Sequence, residues 1–127
     1  MLNYSISEEN YIKAIYHLQQ QDGMVTTNEV AGQLKTKPAS VTDMMKKLKA
    51  KKLLNYEPYQ GFRLTNEGSK VALNIIRRHR LWEFFLAEKL KFNWDEVHEV
   101  AEDLEHVSNK KLIDKLDEFL GFPRTDP

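Results

Sequence analysis

At 127 residues the chain has room for one compact domain or two small ones sharing a core. Its 41% hydrophobic and 30% charged residues are ordinary for a soluble, largely helical protein, and no run approaches the roughly 18 uncharged apolar residues of a membrane span. Cysteine is absent, which excludes disulfides and thiolate ligands and leaves nitrogen and oxygen donors for any metal.

The opening Met1-Leu2-Asn3-Tyr4-Ser5 lacks the basic-then-apolar layout of a secretory signal, so a cytoplasmic protein is expected. The zero net charge conceals an uneven distribution. Residues 35–63 carry eight Lys/Arg against two acids, and residues 83–127 carry six against twelve. One segment suits phosphates and the other suits cations.

In chain order, Tyr11, Ile12, Ile15, Tyr16 and Leu18 fall at helical spacing and predict a helix from about Ser7 to Gln20, ended by Gly23. Thr26-Thr27-Asn28-Glu29 is a capping box, a hydroxyl with Glu three residues on, and opens a short helix with Val30 and Leu34 inward. A third helix starts near Pro38, with Val41, Met44, Met45 and Leu48 as its apolar stripe. Leu53–Glu57 and Gly61–Thr65 then predict two short strands around the turn Pro58-Tyr59-Gln60. Helix, short helix, helix, hairpin is the winged helix-turn-helix order. One long helical pattern follows from about Asn66 to Phe92 and carries the apolar patch Leu81, Trp82, Phe84, Phe85, Leu86. Asn93 with Glu96 predicts a capped helix reaching His106 or Val107, and Ser108 a last helix through Leu120, stopped by Gly121 and Pro123.

The expected fold is therefore mainly α. Residues 1–65 form an N-terminal winged helix-turn-helix for DNA binding, residues 66–121 the metal-binding and dimerisation helices, and residues 122–127 a linker or tail.

In a helix-turn-helix the second helix meets base edges with its N-terminal residues. Here that helix begins Lys37-Pro38-Ala39-Ser40-Val41-Thr42-Asp43. Ser40, Thr42 and Asp43 can hydrogen-bond to bases, and Pro38 and Ala39 can touch thymine methyls. Lys37, Lys46 and Lys47, with Lys49, Lys51 and Lys52 behind them, suit phosphates, as do Tyr59, Gln60 and Arg63 on or near the wing tip. The competing reading is a solvated lysine-rich face.

On the helix opened by Asn93, residues His98, Glu102, Glu105 and His106 fall at about 0°, 40°, −20° and 80° around the axis, on one face. His79 and Glu83 lie four apart on the preceding helix. Imidazole and carboxylate at such spacings on facing helices are how helical proteins build metal sites, although a Glu/His-rich face can equally be solvated.

These motifs together resemble the diphtheria-toxin-repressor family of metal-dependent regulators, over essentially the whole chain. The resemblance is carried by Glu9-Asn10-Tyr11-Ile12 with Ile15-Tyr16, by Ser40-Val41-Thr42, and by Tyr59-Gln60-Gly61 with Leu64-Thr65. Its specific motifs are Arg78-His79-Arg80-Leu81 with Glu83, and Val97-His98 with Glu102 and Glu105-His106. It implies a cytoplasmic homodimer that binds metal, grips a palindromic double-stranded DNA operator and represses metal-uptake genes. By position, His79, Glu83 and His98 match one family metal site. Glu102, Glu105 and His106, with Asn10, match the other, and Arg80 falls where some members hold an anion.

Glu102 stands where iron-sensing members tend to carry a thiolate, which points to Mn²⁺, with Fe²⁺ the alternative. Asn10 and Lys13 stand where some manganese-sensing members have carboxylates, so the chain copies neither branch. Many members continue into an SH3-like C-terminal domain, and the sequence ending at Pro127 is expected to be either a truncation before it or a naturally short member. The apolar residues Trp82, Phe84, Phe85, Leu112, Leu116, Phe119 and Leu120 are the expected dimer core, shared with the intrachain core. No nucleophile or Gly-rich phosphate loop stands out, so an enzyme is not expected. The alternative function is a metal-independent winged-helix regulator that responds to a small molecule.

Overall fold

The computed structural model describes residues 4–124. Six α-helices and one two-stranded sheet appear in the order α1 (Ile6–Asp22), α2 (Thr27–Leu34), α3 (Pro38–Ala50), β1 (Leu54–Glu57), β2 (Gly61–Leu64), α4 (Asn66–Phe84), α5 (Trp94–Leu104) and α6 (Lys110–Phe119). The chain divides into two compact units between Leu73 and Asn74.

The first unit has the predicted helix–helix–helix–hairpin order. α1 begins earlier than its apolar stripe suggests, because Ser5 caps it. The Ser5 hydroxyl accepts from the Glu8 N–H (3.0 Å) while the Glu8 carboxylate accepts from the Ser5 N–H (2.9 Å). The predicted box at Thr26 forms in the same way with Glu29. Lys35, at φ 54°, closes α2 in the left-handed region, and Pro38 starts α3 at its first turn. Ile12 and Ile15 of α1, Val30 of α2, and Val41, Met45 and Leu48 of α3 are all buried, with Val25, Leu53, Leu54 and Leu64. Each such side chain contributes about 1.5–3 kcal/mol when withdrawn from water.

The hairpin is fastened to this core on both sides. β1 and β2 pair antiparallel with Tyr56 opposite Phe62, and Val25 exchanges two backbone hydrogen bonds with Phe62 (2.8 and 2.7 Å) on the outer edge of β2. Gly61 sits at φ 125°, and a Cβ there would meet the Val25 carbonyl oxygen at 2.5 Å, so this close crossing admits only glycine. The buried Gln19 of α1 accepts from the Leu64 N–H through its amide oxygen at 3.0 Å.

A buried carboxylate ties the start of α1 to the end of α3. Glu8 is 3% exposed, and its Oε2 accepts from Lys51 Nζ with Lys47 Nζ at 3.8 Å. Burial is the largest influence on this group and disfavours the ionised form. The Lys51 hydrogen bond, the Ser5 N–H and the two ammonium charges together outweigh it, and the carboxyl is held below its ordinary value of 4.5.

In the second unit, Leu81, Ile113 and Leu116 form one buried cluster and Leu86, Val97 and Ala101 another, with Trp82 packed against both. The predicted continuous helix to Phe92 is interrupted. After Phe84 the chain widens into a π-helical turn, Phe85–Lys89, and Lys91 at φ 60° then reverses it. The extra residue in the wide turn re-aims the chain, and Leu86 becomes buried among α5 side chains. Asn93 caps α5 through its backbone only, its carbonyl accepting from Glu96 and Val97. α6 is capped by Asn109, whose side chain accepts from the Leu112 N–H at 2.9 Å, and not by the neighbouring Ser108. Gly121 at φ 77° ends it, with the Phe122 N–H returning to the Asp117 carbonyl. Arg77 Nη2 clamps α6 to α4 through Asp114 (3.1 Å) and Asp117 (2.8 Å). The expected apolar patch splits. Leu116 is buried and Trp82, Phe85 and Leu120 pack on the intrachain core, whereas Leu112 and Phe119 are exposed.

Glu8→Gln is expected to destabilise the first unit by about 1–3 kcal/mol, because the buried amide gives up the charge-assisted hydrogen bond from Lys51 while both lysines stay solvated. Since the folded-state value of Glu8 is depressed, its contribution is complete above the unfolded value and disappears as pH falls through the folded one. Thermal unfolding of both proteins between pH 7 and pH 3 should therefore show two curves that converge at the acid end.

Candidate metal centre and nucleic-acid interface

α4 and α5 bring three donor atoms together. His79 and Glu83 share a face of α4 at i, i+4, and His98 comes from α5. His79 Nε2, Glu83 Oε2 and His98 Nδ1 form a triangle with edges of 3.2 Å (His79 to His98), 3.3 Å (His79 to Glu83) and 3.5 Å (His98 to Glu83). His79 is buried, Glu83 half-buried and His98 exposed, so the triangle has one open side.

Two further carboxylates settle which nitrogens face inward. His79 Nδ1 lies 2.8 Å from Oε1 of the buried Glu105, and His98 Nε2 lies 2.7 Å from Glu102 Oε1. A neutral imidazole carries one N–H, and a carboxylate within hydrogen-bond distance draws it to that side. With the N–H of each neutral ring on its outer carboxylate, His79 Nε2 and His98 Nδ1 would present lone pairs to each other and to the Glu83 carboxylate. In that tautomer the three acceptors would repel, and a cation between them removes the conflict. A first-row divalent ion bound at about 2.1 Å separates neighbouring donors by about 3.0 Å in an octahedron and about 3.4 Å in a tetrahedron. The observed edges fall in and just beyond this range, and the donor set of two imidazoles and a carboxylate suits Mn²⁺, Fe²⁺ or Zn²⁺. The residues fit a metal.

The other expected ligands are placed differently. Among the described residues, His79, Glu83 and His98 are the group whose donors close to within 4.8 Å. Glu102 and Glu105 instead turn their carboxylates to the outer nitrogens of the two histidines. His106 lies just past the end of α5 and is half-buried, and Asn10 is exposed on α1 in the first unit. Arg80 is half-buried on α4, and its Nε is a buried donor with no hydrogen-bond partner, the condition of a group that an anion would satisfy.

In the first unit, Lys37 is the N-cap of α3, and Pro38, Ala39, Ser40, Thr42, Asp43, Lys46 and Lys47 are all exposed along that helix. The Thr42 hydroxyl donates to the Pro38 carbonyl at 3.1 Å, leaving its lone pairs and methyl outward. Lys47 also faces the Glu8 carboxylate, a pairing the sequence does not reveal. Gln60 and Arg63 are exposed on the hairpin. Tyr59 is fully exposed at φ 66° in the turn closed by the Gln60 N–H to Glu57 carbonyl bond. Proline followed by a residue at positive φ is the type II turn, where glycine is preferred and a tyrosine costs on the order of 1 kcal/mol. A solvent-exposed aromatic held at such a cost points to a role outside the fold.

Residues 4–62 match the model of the iron-dependent repressor N-terminal DNA-binding domain, and residues 65–127 that of the iron-dependent repressor metal-binding and dimerisation domain. The chain belongs to the iron-dependent repressor family. It is 34% identical over 120 residues to the HTH-type transcriptional regulator MntR of Oceanobacillus iheyensis, covering 94% of this chain and 81% of that one. Among solved structures it is similar to the manganese regulator SloR (34% identity, TM-score 0.82, all of this chain). It is also similar to a manganese-dependent transcriptional repressor in complex with manganese (36% identity, TM-score 0.84, 94% of this chain). The chain spans 58% and 55% of those two solved chains. The family consists of DNA-binding transcriptional regulators and not enzymes, and no helix of the described residues is long and apolar enough to cross a membrane.

Glu105→Gln should weaken Mn²⁺ binding at the triad about 10–100-fold, because the amide no longer fixes the His79 tautomer. Calorimetric titration of the folded variant checks this, and an unchanged affinity would detach Glu105 from the site.

Proposed function

We propose that the chain is a cytoplasmic, manganese- or iron-responsive repressor that binds palindromic operators of metal-uptake genes as a homodimer. The observation that carries the reading is the convergence of three donor atoms at His79, Glu83 and His98, each histidine with a carboxylate on its outer nitrogen. The relatives named for manganese regulation favour Mn²⁺ over Fe²⁺. A regulator that ignores metal and answers a small molecule is not favoured, since the helical half matches a metal-binding domain.

The division of labour follows the sequence reading, with DNA binding in residues 1–65, metal binding and dimerisation in 66–121, and a linker or tail in 122–127. His79, Glu83 and His98 would hold one ion. Glu102, Glu105 and His106 would hold a second ion, Glu102 and Glu105 turning from the outer nitrogens of the histidines that they face here. Arg80 would hold an anion beside the triad. The exposed Leu112 and Phe119 offer apolar surface to a second copy. The bound cation neutralises converging negative potential, so the conformation in which the donors meet gains stability. If that conformation also binds DNA better, operator affinity rises by the metal's differential affinity for it. DNA contacts are assigned to Lys37, Pro38, Ala39, Ser40, Thr42, Asp43, Lys46, Lys47, Tyr59, Gln60 and Arg63.

Fluorescence anisotropy of a labelled palindromic promoter duplex, titrated with protein and then with Mn²⁺ or, anaerobically, Fe²⁺, tests this. Binding is expected only with metal, and His106→Ala is expected to abolish the metal dependence while leaving the fold intact. Binding indifferent to both metals would leave the winged helix standing and remove the metal response.

A further inference from the structure

The first unit has a cleft between α3 and the hairpin. It encloses about 190 Å³ and is lined by Thr42, Met45, Lys46, Lys49, Tyr56 and Phe62. Thr42, Lys46 and Lys49 are spaced i, i+4, i+7 and therefore form one stripe of α3, running from the base-reading end toward its C-terminus. Opposite them Tyr56 and Phe62 pair across the hairpin with ring centroids 5.1 Å apart, and Tyr56 is 46% exposed. Lys49 Nζ stands 5.8 Å from the centroid of the Tyr56 ring. The cation–π attraction holds the ammonium above an apolar floor.

We propose that this cleft seats one sugar–phosphate unit of double-stranded DNA, with the deoxyribose against Tyr56 and the phosphate between Lys46 and Lys49. The inference rests on the DNA-binding reading, adds Tyr56 to it, and gives Lys49, one of the lysines already suited to phosphates, a defined seat above that ring. A DNA strand presents the chemistry the cleft complements, a compact ring with apolar carbons flanked by an anionic group. The cleft is open-sided, so a polymer can pass through it, and it is continuous with Thr42 and Lys46 on the same stripe of α3. A small aromatic anion would match the charge and the floor but would draw nothing from that continuity.

The test is the salt dependence of binding in saturating Mn²⁺, measured by anisotropy on the protein's own promoter duplex and on a scrambled duplex of equal composition. Loss of one phosphate contact lowers the slope of log K against log salt by about 0.9. Lys49→Gln is expected to show that change on both duplexes, with affinity reduced on the order of eightfold at 0.1 M salt. Tyr56→Leu is expected to weaken both without changing the slope, and Lys111→Gln, on α6, to change neither. Lys49 is exposed on a helix, so its variant keeps the fold even where the Tyr56 variant does not. A Lys49→Gln slope equal to that of the parent protein overturns the proposal and leaves DNA binding intact. A loss confined to the promoter duplex, at unchanged slope, also overturns it, by assigning Lys49 to base recognition. Failure of the parent protein to bind either duplex at low salt would overturn the DNA-binding reading instead.

Discussion

Three donor atoms, His79 Nε2, Glu83 Oε2 and His98 Nδ1, close to within 3.5 Å of one another, and the candidate site of the helical half depends on that convergence. Other features of the second unit serve the triangle of His79, Glu83 and His98. The Arg77 clamp on Asp114 and Asp117 fixes α6 against α4, the helix that carries two of the donors. The π-helical turn buries Leu86 against Val97 and Ala101 and so seats α5, which carries the third. Glu105 and Glu102 take up the outer nitrogens of His79 and His98. An apolar core could hold these helices together, but only the carboxylates make their shared polar site an acceptor site.

The first unit is built on the opposite charge logic. There an anion, Glu8, is buried under two lysines at the C-terminal end of α3. Most of the cationic surface along α3 remains outward, while Lys51 and in part Lys47 are held inward by Glu8. The net charge of zero is thus the sum of a surface that presents cations and one that collects them. It gives no hint of either property.

Where a backbone preference and an apolar period agree, the sequence predicts the element. Thr26 with Glu29, Pro38 ahead of Val41 and Met45, and Pro58 before the turn all act locally, and the structure forms α2, α3 and the hairpin where they indicate. The same reading misplaces features decided by contacts remote in sequence. Ser108 and Asn109 are both good caps, and which of them bonds Leu112 depends on how the chain enters α6. Nothing in Phe84-Phe85-Leu86 signals a π-helical turn, because the widening answers the packing of Leu86 and not a local propensity.

The site follows the same division. Pairs at i, i+4, His79 with Glu83 and His98 with Glu102, are legible because one helix sets both positions. Glu105 and His106 were placed on the α5 face by rotation at about 100° per residue, which presumes a helix that continues through them. α5 is bounded at Leu104, but Glu105 keeps helical backbone (φ −61°, ψ −17°) and its N–H still bonds the Ala101 carbonyl, so the periodicity holds through it. Glu105 therefore stays on the face it shares with His98, and both reach His79 on α4, Glu105 across 26 positions of the chain. The residue types needed for a metal centre can be read from spacing, but which donors converge and which carboxylates take the outer nitrogens is fixed by how the side chains of α4 and α5 meet.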